Sequence, residues 1–374
     1  MKVLILSADA GKTPNSAAEA IAEQLSKMNF ESDLIDSLIM VPENGELLSH
    51  WNTSRAYQNL SRRAGSSYLS EERHAAYALY RLCALGADAL HGVLEQGQYD
   101  AVLCVHVFPC MMMTAVRKKY DRTPPFYFIA TDYACAPGVS ELKANGYFIP
   151  HRMLFADFIR CGFPADKLYA TGIPIRPRFY AARPEKIELR RELHLPEEGR
   201  IVLLRAGNLL HKNVAGRAFS LLRALPNDVT LVVQCGKNEK LLHQLQDRPH
   251  DRLVARGFHA APEKYLFAAD LCIARPRGVS CAEALVCGLP LVLYREMRGV
   301  EAKNFEFLIH CGVAEGSWSW RDVIQSTVLL LTDESSRRRQ AEAVRAFLPS
   351  NAAEQICKIV GRLKTSAENE VLPS

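Results

Sequence analysis

The chain of 374 residues is 48% hydrophobic and 23% charged, which is enough for about two domains with buried cores and excludes a disordered chain. The formal net charge of +5 is spread along the sequence, so it suits an anionic ligand or an anionic membrane surface without requiring either, and we expect no nucleic-acid partner. Eleven cysteines lie singly with no CxxC pair, which favours a reducing cytoplasm over a disulfide scaffold.

Taken in chain order, apolar segments of strand length alternate with helical patterns nearly throughout. This alternation predicts an α/β protein with doubly wound parallel sheets. Strands are predicted at residues 2–7, 32–35, 101–107, 126–130, 146–149 and 167–171, and then at 201–206, 229–234, 252–256, 270–274 and 289–294. The first apolar run is too short for a signal peptide, and no span reaches the roughly 18 apolar residues of a transmembrane helix, so any membrane contact is expected to be peripheral.

The domain boundary is predicted near residue 175, where a connector with two prolines, residues 172–179, separates the two halves. We therefore expect an N-terminal domain at residues 1–175 and a C-terminal domain at 176–374, facing each other across a cleft. The last helices, about 319–364, are candidates to cross back and brace the first domain.

A helical insert is predicted at about 47–94, where tyrosines and a tryptophan are mixed with arginines. Aromatic side chains among basic ones are typical of a membrane-interface or lipid-acceptor surface. The alternative is an ordinary helical segment whose tyrosines pack on the domain and whose arginines are solvated, and the acidic Glu71 and Glu72 favour it.

The segment at 257–304 is the most informative one for function. A short apolar strand runs into the turn Arg275-Pro276-Arg277-Gly278, and a helix of small residues follows from about Ser280. Backbone N–H groups and the positive end of a helix dipole converge at such a turn, usually at the carboxyl end of a parallel sheet. The pattern predicts a binding site for a nucleotide diphosphate.

Several motifs, in order and spacing along nearly the whole chain, resemble the monogalactosyldiacylglycerol synthase and processive diacylglycerol glucosyltransferase group of the family 28 glycosyltransferases. The motifs that carry the resemblance are Ser7-Ala8-Asp9-Ala10-Gly11, Thr131-Asp132-Tyr133, Thr171-Gly172-Ile173-Pro174, Cys235-Gly236-Lys237-Asn238 and Gly288-Leu289-Pro290, with Gly278, Glu283, Gly299, Glu301 and Asn304.

The resemblance implies a GT-B fold, in which the C-terminal domain holds a UDP-sugar and the N-terminal domain receives a lipid acceptor. It implies an inverting transfer of galactose or glucose to diacylglycerol at the cytoplasmic membrane face, without a metal or other cofactor. A base deprotonates the acceptor hydroxyl while hydrogen-bond donors neutralise the departing diphosphate. The protein is accordingly expected to be cytoplasmic and peripheral to the inner face of the cell membrane.

The same resemblance assigns the donor site. UDP-sugar binding is expected at Gly11, Gly207, Asn208, Phe258, Arg277, Gly278, Ser280, Glu283, Glu301 and Asn304.

Within this set, Glu283 corresponds to an acidic residue that binds the ribose hydroxyl groups in the family. Phe258 lies where relatives bind uracil, and Glu301 corresponds to a residue of a loop that binds the sugar. An alternative for Glu283 is a capping box with Ser280, and an alternative for Glu301 is a first-turn acid stabilised by the helix dipole.

Three positions depart from the family. Arg277 replaces a glycine and either contacts the phosphates or obstructs them, and Val300 replaces a glutamine that binds sugar. Pro14 replaces the histidine that is the family's candidate base. Proline has no acid–base chemistry, although Pro14 is a good first helical residue after a Thr13 cap.

Asp9 and Asp132 are therefore the candidate bases, and Asp132 has the alternative of satisfying a turn. His106 follows a strand, where a lone histidine is more often structural. The sequence leaves two hypotheses: an active lipid glycosyltransferase, or a catalytically degenerate relative that binds nucleotide or lipid without efficient transfer.

Overall fold

A computed structural model describes residues 1–8, 12–41, 70–135, 139–207, 209, 211–296 and 299–370. The chain divides into two compact units. The first comprises Met1–Pro177, Arg298–Val300 and Pro349–Ser374, and the second comprises Arg178–Met297 and Glu301–Leu348. The chain thus leaves the first unit within the proline-containing connector.

The first unit is built on a six-stranded sheet, all of whose described pairings are parallel, in the order β2-β1-β3-β4-β5-β6. Its strands are β1 Lys2–Ser7, β2 Glu31–Asp36, β3 Ala101–Cys104, β4 Phe126–Ile129, β5 Gly146–Ile149 and β6 Leu168–Ala170. Its helices are α1 Lys12–Lys27, α2 Ser70–Ala84, α3 Ala87–Gly97, α4 Val107–Lys119 and α5 Phe155–Arg160.

The second unit has a second six-stranded sheet of parallel pairings, in the order β12-β11-β10-β7-β8-β9. Its strands are β7 Arg200–Arg205, β8 Val229–Gly236, β9 Leu253–Gly257, β10 Leu271–Ala274, β11 Leu291–Tyr294 and β12 Glu315–Ser317. The helices of the remaining chain are α6 Lys186–Glu192, α7 Val214–Ala224, α8 Glu239–Gln246, α9 Pro262–Ala268, α10 Gly278–Val286, α11 Val300–His310, α12 Trp320–Thr332, α13 Glu334–Phe347 and α14 Ala352–Glu370.

The central strands, such as β3, β4, β10 and β11, are buried along their whole length because helices cover both faces of each sheet. In the first unit, Val3 and Ile5 of β1 pack with Ile21 of α1 and with Ile356 and Val360 of α14. Of the last three helices, α14 alone belongs to the first unit, and α12 and α13 belong to the second. The predicted crossing segment therefore begins too early, since it includes both of these helices.

Two strands differ from the sequence-based prediction by more than two residues, and the other predicted strands agree within two residues at each end. The predicted strand at 101–107 ends at Cys104, because His106 already caps α4 at Val107. The strand β12, Glu315–Ser317, is missing from the prediction because its three residues contain no apolar run.

The helical insert is described only in its second half, as α2 and α3, and residues 42–69 lie outside the described residues. The ring of Tyr80 is buried and stacks beside Tyr77, whose exposed fraction is 54%. Tyr80 thus packs on the domain, as expected if the insert is an ordinary helical segment. Among the described helices, none is long and apolar enough to span a membrane.

The helix α1 begins at Lys12 and continues through Pro14. The prediction that a helix persists at this position is confirmed, but Thr13 lies inside the helix instead of capping it. Proline is tolerated in the first turn, since the N–H group that it lacks has no partner within the helix there.

Candidate functional site

The order of strands in the second sheet creates a switch point between β7 and β10. From β7 the chain adds β8 and β9 on one side, and it then returns to place β10 on the other side of β7. The connections after β7 and β10 therefore leave the sheet in opposite directions, and a crevice opens at their carboxyl ends. Ligands of doubly wound folds bind at such a point.

Gly207 follows β7 directly at this switch point and lies against the end of β8. A Cβ atom added to Gly207 would lie 2.5 Å from the carbonyl oxygen of Cys235 and 3.0 Å from the backbone nitrogen of Gly236. Because no real Cβ atom approaches backbone so closely, only glycine fits. The backbone at the carboxyl end of β7 is consequently bare, as a close approach to phosphate requires.

The helix α10 begins at the other side of the switch point, with Arg277 as its N-cap residue and Gly278 as its first residue. Arg277 makes no side-chain capping bond. The first-turn N–H groups of a helix point out of its amino end, where they bind anions. Ser280 is inside this first turn, so the capping box predicted for Ser280 and Glu283 is wrong.

Glu283 is buried in α10, with an exposed fraction of 5%. Its Oε2 accepts a hydrogen bond from Nη1 of Arg205, the last residue of β7, at 2.9 Å. Burial acts to lower the pKa of Arg205, and the carboxylate of Glu283 overcomes it, so the pKa lies above its ordinary value. The ion pair fixes the carboxylate across the switch point.

The connection between β10 and α10 is bound to the first turns of α11. Nη2 of Arg275 donates to Oε1 and Oε2 of Glu301 at 2.7 and 2.8 Å, and Nε donates to Oε2 at 3.2 Å. Nδ2 of Asn304 donates to the carbonyl oxygen of Pro276 at 3.0 Å. Glu301 and Asn304 therefore hold the connection that carries Arg277, and each has a structural role whether or not it contacts a ligand.

Phe258 follows β9 at the same edge of the second sheet. Its exposed fraction is 67%, and Nζ of Lys237 lies 5.9 Å from the ring centroid. An exposed aromatic ring beside a cation is suited to cover a planar base.

The described residues of the predicted donor set all follow strands of the second sheet at its carboxyl edge. We call this set the candidate donor site: Gly207, Phe258, Arg277, Gly278, Ser280, Glu283, Glu301 and Asn304. Asp9, Gly11 and Asn208 were also predicted, and they lie outside the described residues.

The acceptor-side candidates lie in the first unit. Asp132 is partly buried just after β4, on the carboxyl edge of the first sheet. His106 caps α4, because its Nδ1 accepts the backbone N–H of Phe108 at 3.3 Å, and burial lowers its pKa to about 4. The structure thus supports the structural interpretation of His106.

Comparison with known proteins shows to which proteins the chain is related. The model of the monogalactosyldiacylglycerol (MGDG) synthase family matches residues 15–175. A processive diacylglycerol beta-glucosyltransferase of Bacillus pumilus is 24% identical over 374 residues, which cover 95% of this chain and 93% of that protein. The chain is related to the diacylglycerol glycosyltransferases. The resemblance expected from its motifs is confirmed.

Solved structures that cover nearly the whole chain show which fold it has. MurG of Acinetobacter baumannii is 15% identical with a TM-score of 0.61, covering 96% of this chain and 99% of that one. HepE of Anabaena in complex with UDP-glucose is 16% identical with a TM-score of 0.56, covering 97% of this chain and 100% of that one. With its two parallel six-stranded sheets and flanking helices, this relative of the diacylglycerol glycosyltransferases has the GT-B fold.

Three charged residues at this edge of the second sheet were not predicted as site residues from the sequence: Arg205, Arg275 and Glu296. Each is a charged residue at or just after the carboxyl end of an apolar strand, β7, β10 or β11. Burial of a charged side chain in that position costs free energy unless the charge is paired. A charged residue at the end of an apolar strand therefore indicates a partner at the same edge of the sheet. The partners themselves become visible only once the strand order is known.

Proposed function

We propose that the protein is an inverting glycosyltransferase that moves a hexose from a UDP-sugar to diacylglycerol or a related lipid. The observation that carries the proposal is the arrangement at the switch point of the second sheet. There the bare backbone at Gly207, the amino end of α10 and the carboxylate of Glu283 lie on the two sides of one crevice. The names of the relatives support the lipid acceptor.

Each part of the candidate donor site suits one part of a UDP-sugar. The side chain of Glu283 suits the two adjacent hydroxyl groups of the ribose, because a carboxylate accepts hydrogen bonds from both. The N–H groups at the start of α10 and the backbone at Gly207 suit the diphosphate. The exposed ring of Phe258 suits the uracil base, and the carboxylate of Glu301 in the first turn of α11 suits the sugar.

The proposed reaction needs no metal ion. The leaving diphosphate is stabilised by backbone N–H groups and the helix dipole, aided by Arg277 if its side chain turns toward the phosphates. A carboxylate of the first unit, Asp9 or Asp132, removes the proton of the acceptor hydroxyl as that oxygen attacks the anomeric carbon. Attack opposite the leaving group inverts the configuration.

We further propose that the protein works in the cytoplasm, peripherally at the inner face of the cell membrane. A diacylglycerol acceptor is confined to a membrane, and the net charge of +5 suits an anionic surface.

A second candidate function is nucleotide or lipid binding without efficient transfer. The observation that favours it is the sequence at the start of α1, where Pro14 replaces the family's base histidine. Val300 also replaces a sugar-binding glutamine, whereas the pair of Arg205 and Glu283 is intact. This combination is what a protein with a working nucleotide site and an impaired reaction would have.

One experiment separates the two functions. The full-length protein is incubated with UDP-glucose, UDP-galactose or UDP-N-acetylglucosamine and vesicles containing diacylglycerol and anionic lipid, and glycolipid product and released UDP are measured. We expect glycolipid with one of the hexose donors. UDP binding without product from any donor would establish the second function. Absence of UDP binding in both the wild type and Glu283→Ala would refute the donor site itself.

A further inference from the structure

Glu296 lies just after β11, and its side chain is buried, with an exposed fraction of 6%. Its Oε1 accepts the backbone N–H of His211 at 3.1 Å and lies 3.7 Å from Nη1 of Arg217. Its Oε2 lies 3.8 Å from Nε of Arg275. One buried carboxylate therefore contacts two groups near the start of α7, from His211 and Arg217, and a third group from Arg275, which is distant in the sequence.

These contacts join the two connections that border the switch point. His211 belongs to the connection from β7 to α7, which begins at Gly207. Arg275 belongs to the connection from β10 to α10, which leads to Gly278. Glu296 is thus the described side chain through which both connections are held at the carboxyl edge of the second sheet.

Among the described residues, this cluster holds two charges of each sign. Arg217 and Arg275 contribute two positive charges, and Glu296 and Glu301 contribute two negative ones. Arg217 is held separately by the hydroxyl group of Tyr294. Removal of a partner from a buried ion pair is strongly unfavourable, since it leaves a charge without compensation. The loss of Glu296 would leave two guanidinium groups with one carboxylate and would release the N–H of His211.

We propose that Glu296 is a positioning residue for donor binding. It holds the β7–α7 connection against the β10–α10 connection, so that the backbone N–H groups of both face one diphosphate. This inference rests on the proposed donor site. Glu296 itself contacts no ligand in this role and acts through His211 and Arg275.

The test uses Glu296→Gln, Glu296→Ala and a matched control, Asp270→Asn. Glutamine keeps an acceptor for the His211 N–H and removes the charge, whereas alanine removes both. Asp270 has the same chemistry at the opposite, amino edge of the sheet: its Oδ2 accepts Nη2 of Arg190 and the N–H of Ile201, each at 2.7 Å. Hydrogen exchange of the peptide containing His211, UDP affinity and the melting temperature are measured for each full-length variant.

For Glu296→Ala we expect about tenfold faster exchange at His211 and about tenfold weaker UDP binding, the value of a buried hydrogen bond to a charged group. Glu296→Gln should retain the protection of His211 and lose a smaller part of the affinity. Asp270→Asn should lower the melting temperature and leave UDP affinity unchanged. This pattern would support the positioning role.

Two results would overturn the inference. One is unchanged UDP affinity in folded Glu296→Ala while the wild type binds UDP. The other is an equal loss of affinity in Glu296→Ala and Asp270→Asn, since that would reflect general stability. A wild type that does not bind UDP refutes the proposed donor site instead, and the exchange of His211 still reports whether Glu296 holds the connection.

Discussion

Arg205 and Glu283 form an ion pair across the switch point of the second sheet, with Nη1 and Oε2 separated by 2.9 Å. The arginine ends β7, and the carboxylate lies in α10, which follows β10. The pair therefore ties β7 to the helix that follows the neighbouring strand β10. It also holds a hydrogen-bond acceptor where the proposed ribose would bind.

Substitution of Glu283 by alanine is expected to remove the preference for ribose over deoxyribose. A carboxylate that accepts two hydroxyl groups favours UDP over 2′-deoxyuridine diphosphate, because the deoxy compound lacks one of them. We expect the wild type to prefer UDP by about tenfold, the value of a hydrogen bond to a charged acceptor, and Glu283→Ala to bind both equally. Calorimetric titration of both nucleotides measures the ratio.

The matched control for this prediction is Glu263→Ala, which removes another largely buried carboxylate of the second unit. Its preference for UDP should equal that of the wild type. If Glu283→Ala keeps the preference, Glu283 does not bind the ribose and serves only as the partner of Arg205.

Gly207→Ala is expected to weaken UDP binding and to destabilise the second unit. The added Cβ would lie 2.5 Å from the carbonyl oxygen of Cys235, so the connection after β7 must move. We expect at least a tenfold loss of UDP affinity and a loss of stability of about 1–3 kcal/mol, typical of a small-to-large change at a tight contact. Titration with UDP and denaturant unfolding provide the two values.

Gly92→Ala is the control for this substitution, because a Cβ there has nothing within 4 Å. Gly92 lies in α3, where alanine is favoured over glycine, so this variant should be stabilised by about 0.5–1 kcal/mol with UDP affinity unchanged. Normal UDP affinity in Gly207→Ala would show that the phosphates do not approach this backbone.

Glu301→Gln is expected to separate the binding of the sugar from that of the nucleotide. The substitution keeps the shape of the side chain but removes the charge that faces Arg275. If Glu301 also accepts sugar hydroxyl groups, the affinity for UDP-glucose should fall about tenfold while that for UDP falls less than threefold. Titrations with UDP and with UDP-glucose show whether Glu301 binds the sugar. Equal losses would assign Glu301 only to holding the β10–α10 connection.

Asp132→Asn is expected to lower kcat by a factor of roughly 100 to 10,000 without changing UDP affinity, as for the loss of a general base. Asp9→Asn is the comparison, since Asp9 is the other candidate. Rates of glycolipid formation and UDP titrations are measured for both variants. A change in KM for the lipid at constant kcat would instead indicate that the aspartate only orients the acceptor.

The fold was largely predictable because period and polarity are local properties of the sequence. Buried strands such as Lys2–Ser7 read as continuous apolar runs, and their alternation with helices predicts parallel sheets. By contrast, β12 lacks an apolar run, and its pairing with β11 comes from the backbone alone. Helix starts were also misplaced, because Ser280 looks like a cap in sequence while α10 already begins at Gly278.

For the candidate donor site, the local sequence pattern indicates candidate residues but not the bonds that they make. Motif spacing indicated Glu283 and Glu301, yet their partners Arg205 and Arg275 depend on which strands lie side by side. The neighbours β7 and β10 are separated in sequence by two further strands. Long-range pairing of this kind cannot be read from local pattern, and the role of Glu296 follows entirely from it.

The N-cap residue His106 predicts a dependence of stability on pH. Its pKa is lowered from 6.5 to about 4 by burial, so below pH 6.5 the unfolded chain binds a proton that the native protein does not. Stability is therefore complete above pH 6.5 and falls as the pH decreases toward 4. The full loss corresponds to roughly 3 kcal/mol, of which about 2 kcal/mol should be present at pH 5.

His106→Asn isolates this effect, because asparagine is a good N-cap residue and does not titrate in this range. Urea unfolding of the wild type and His106→Asn at pH 7.5 and pH 5 gives the free energy of unfolding of each. Carboxylates and the other histidines titrate alike in both proteins, so they cancel in the difference. The wild type should lose about 2 kcal/mol relative to the variant between the two pH values. A difference that stays constant with pH would show that His106 is protonated in the folded protein as readily as in the unfolded chain.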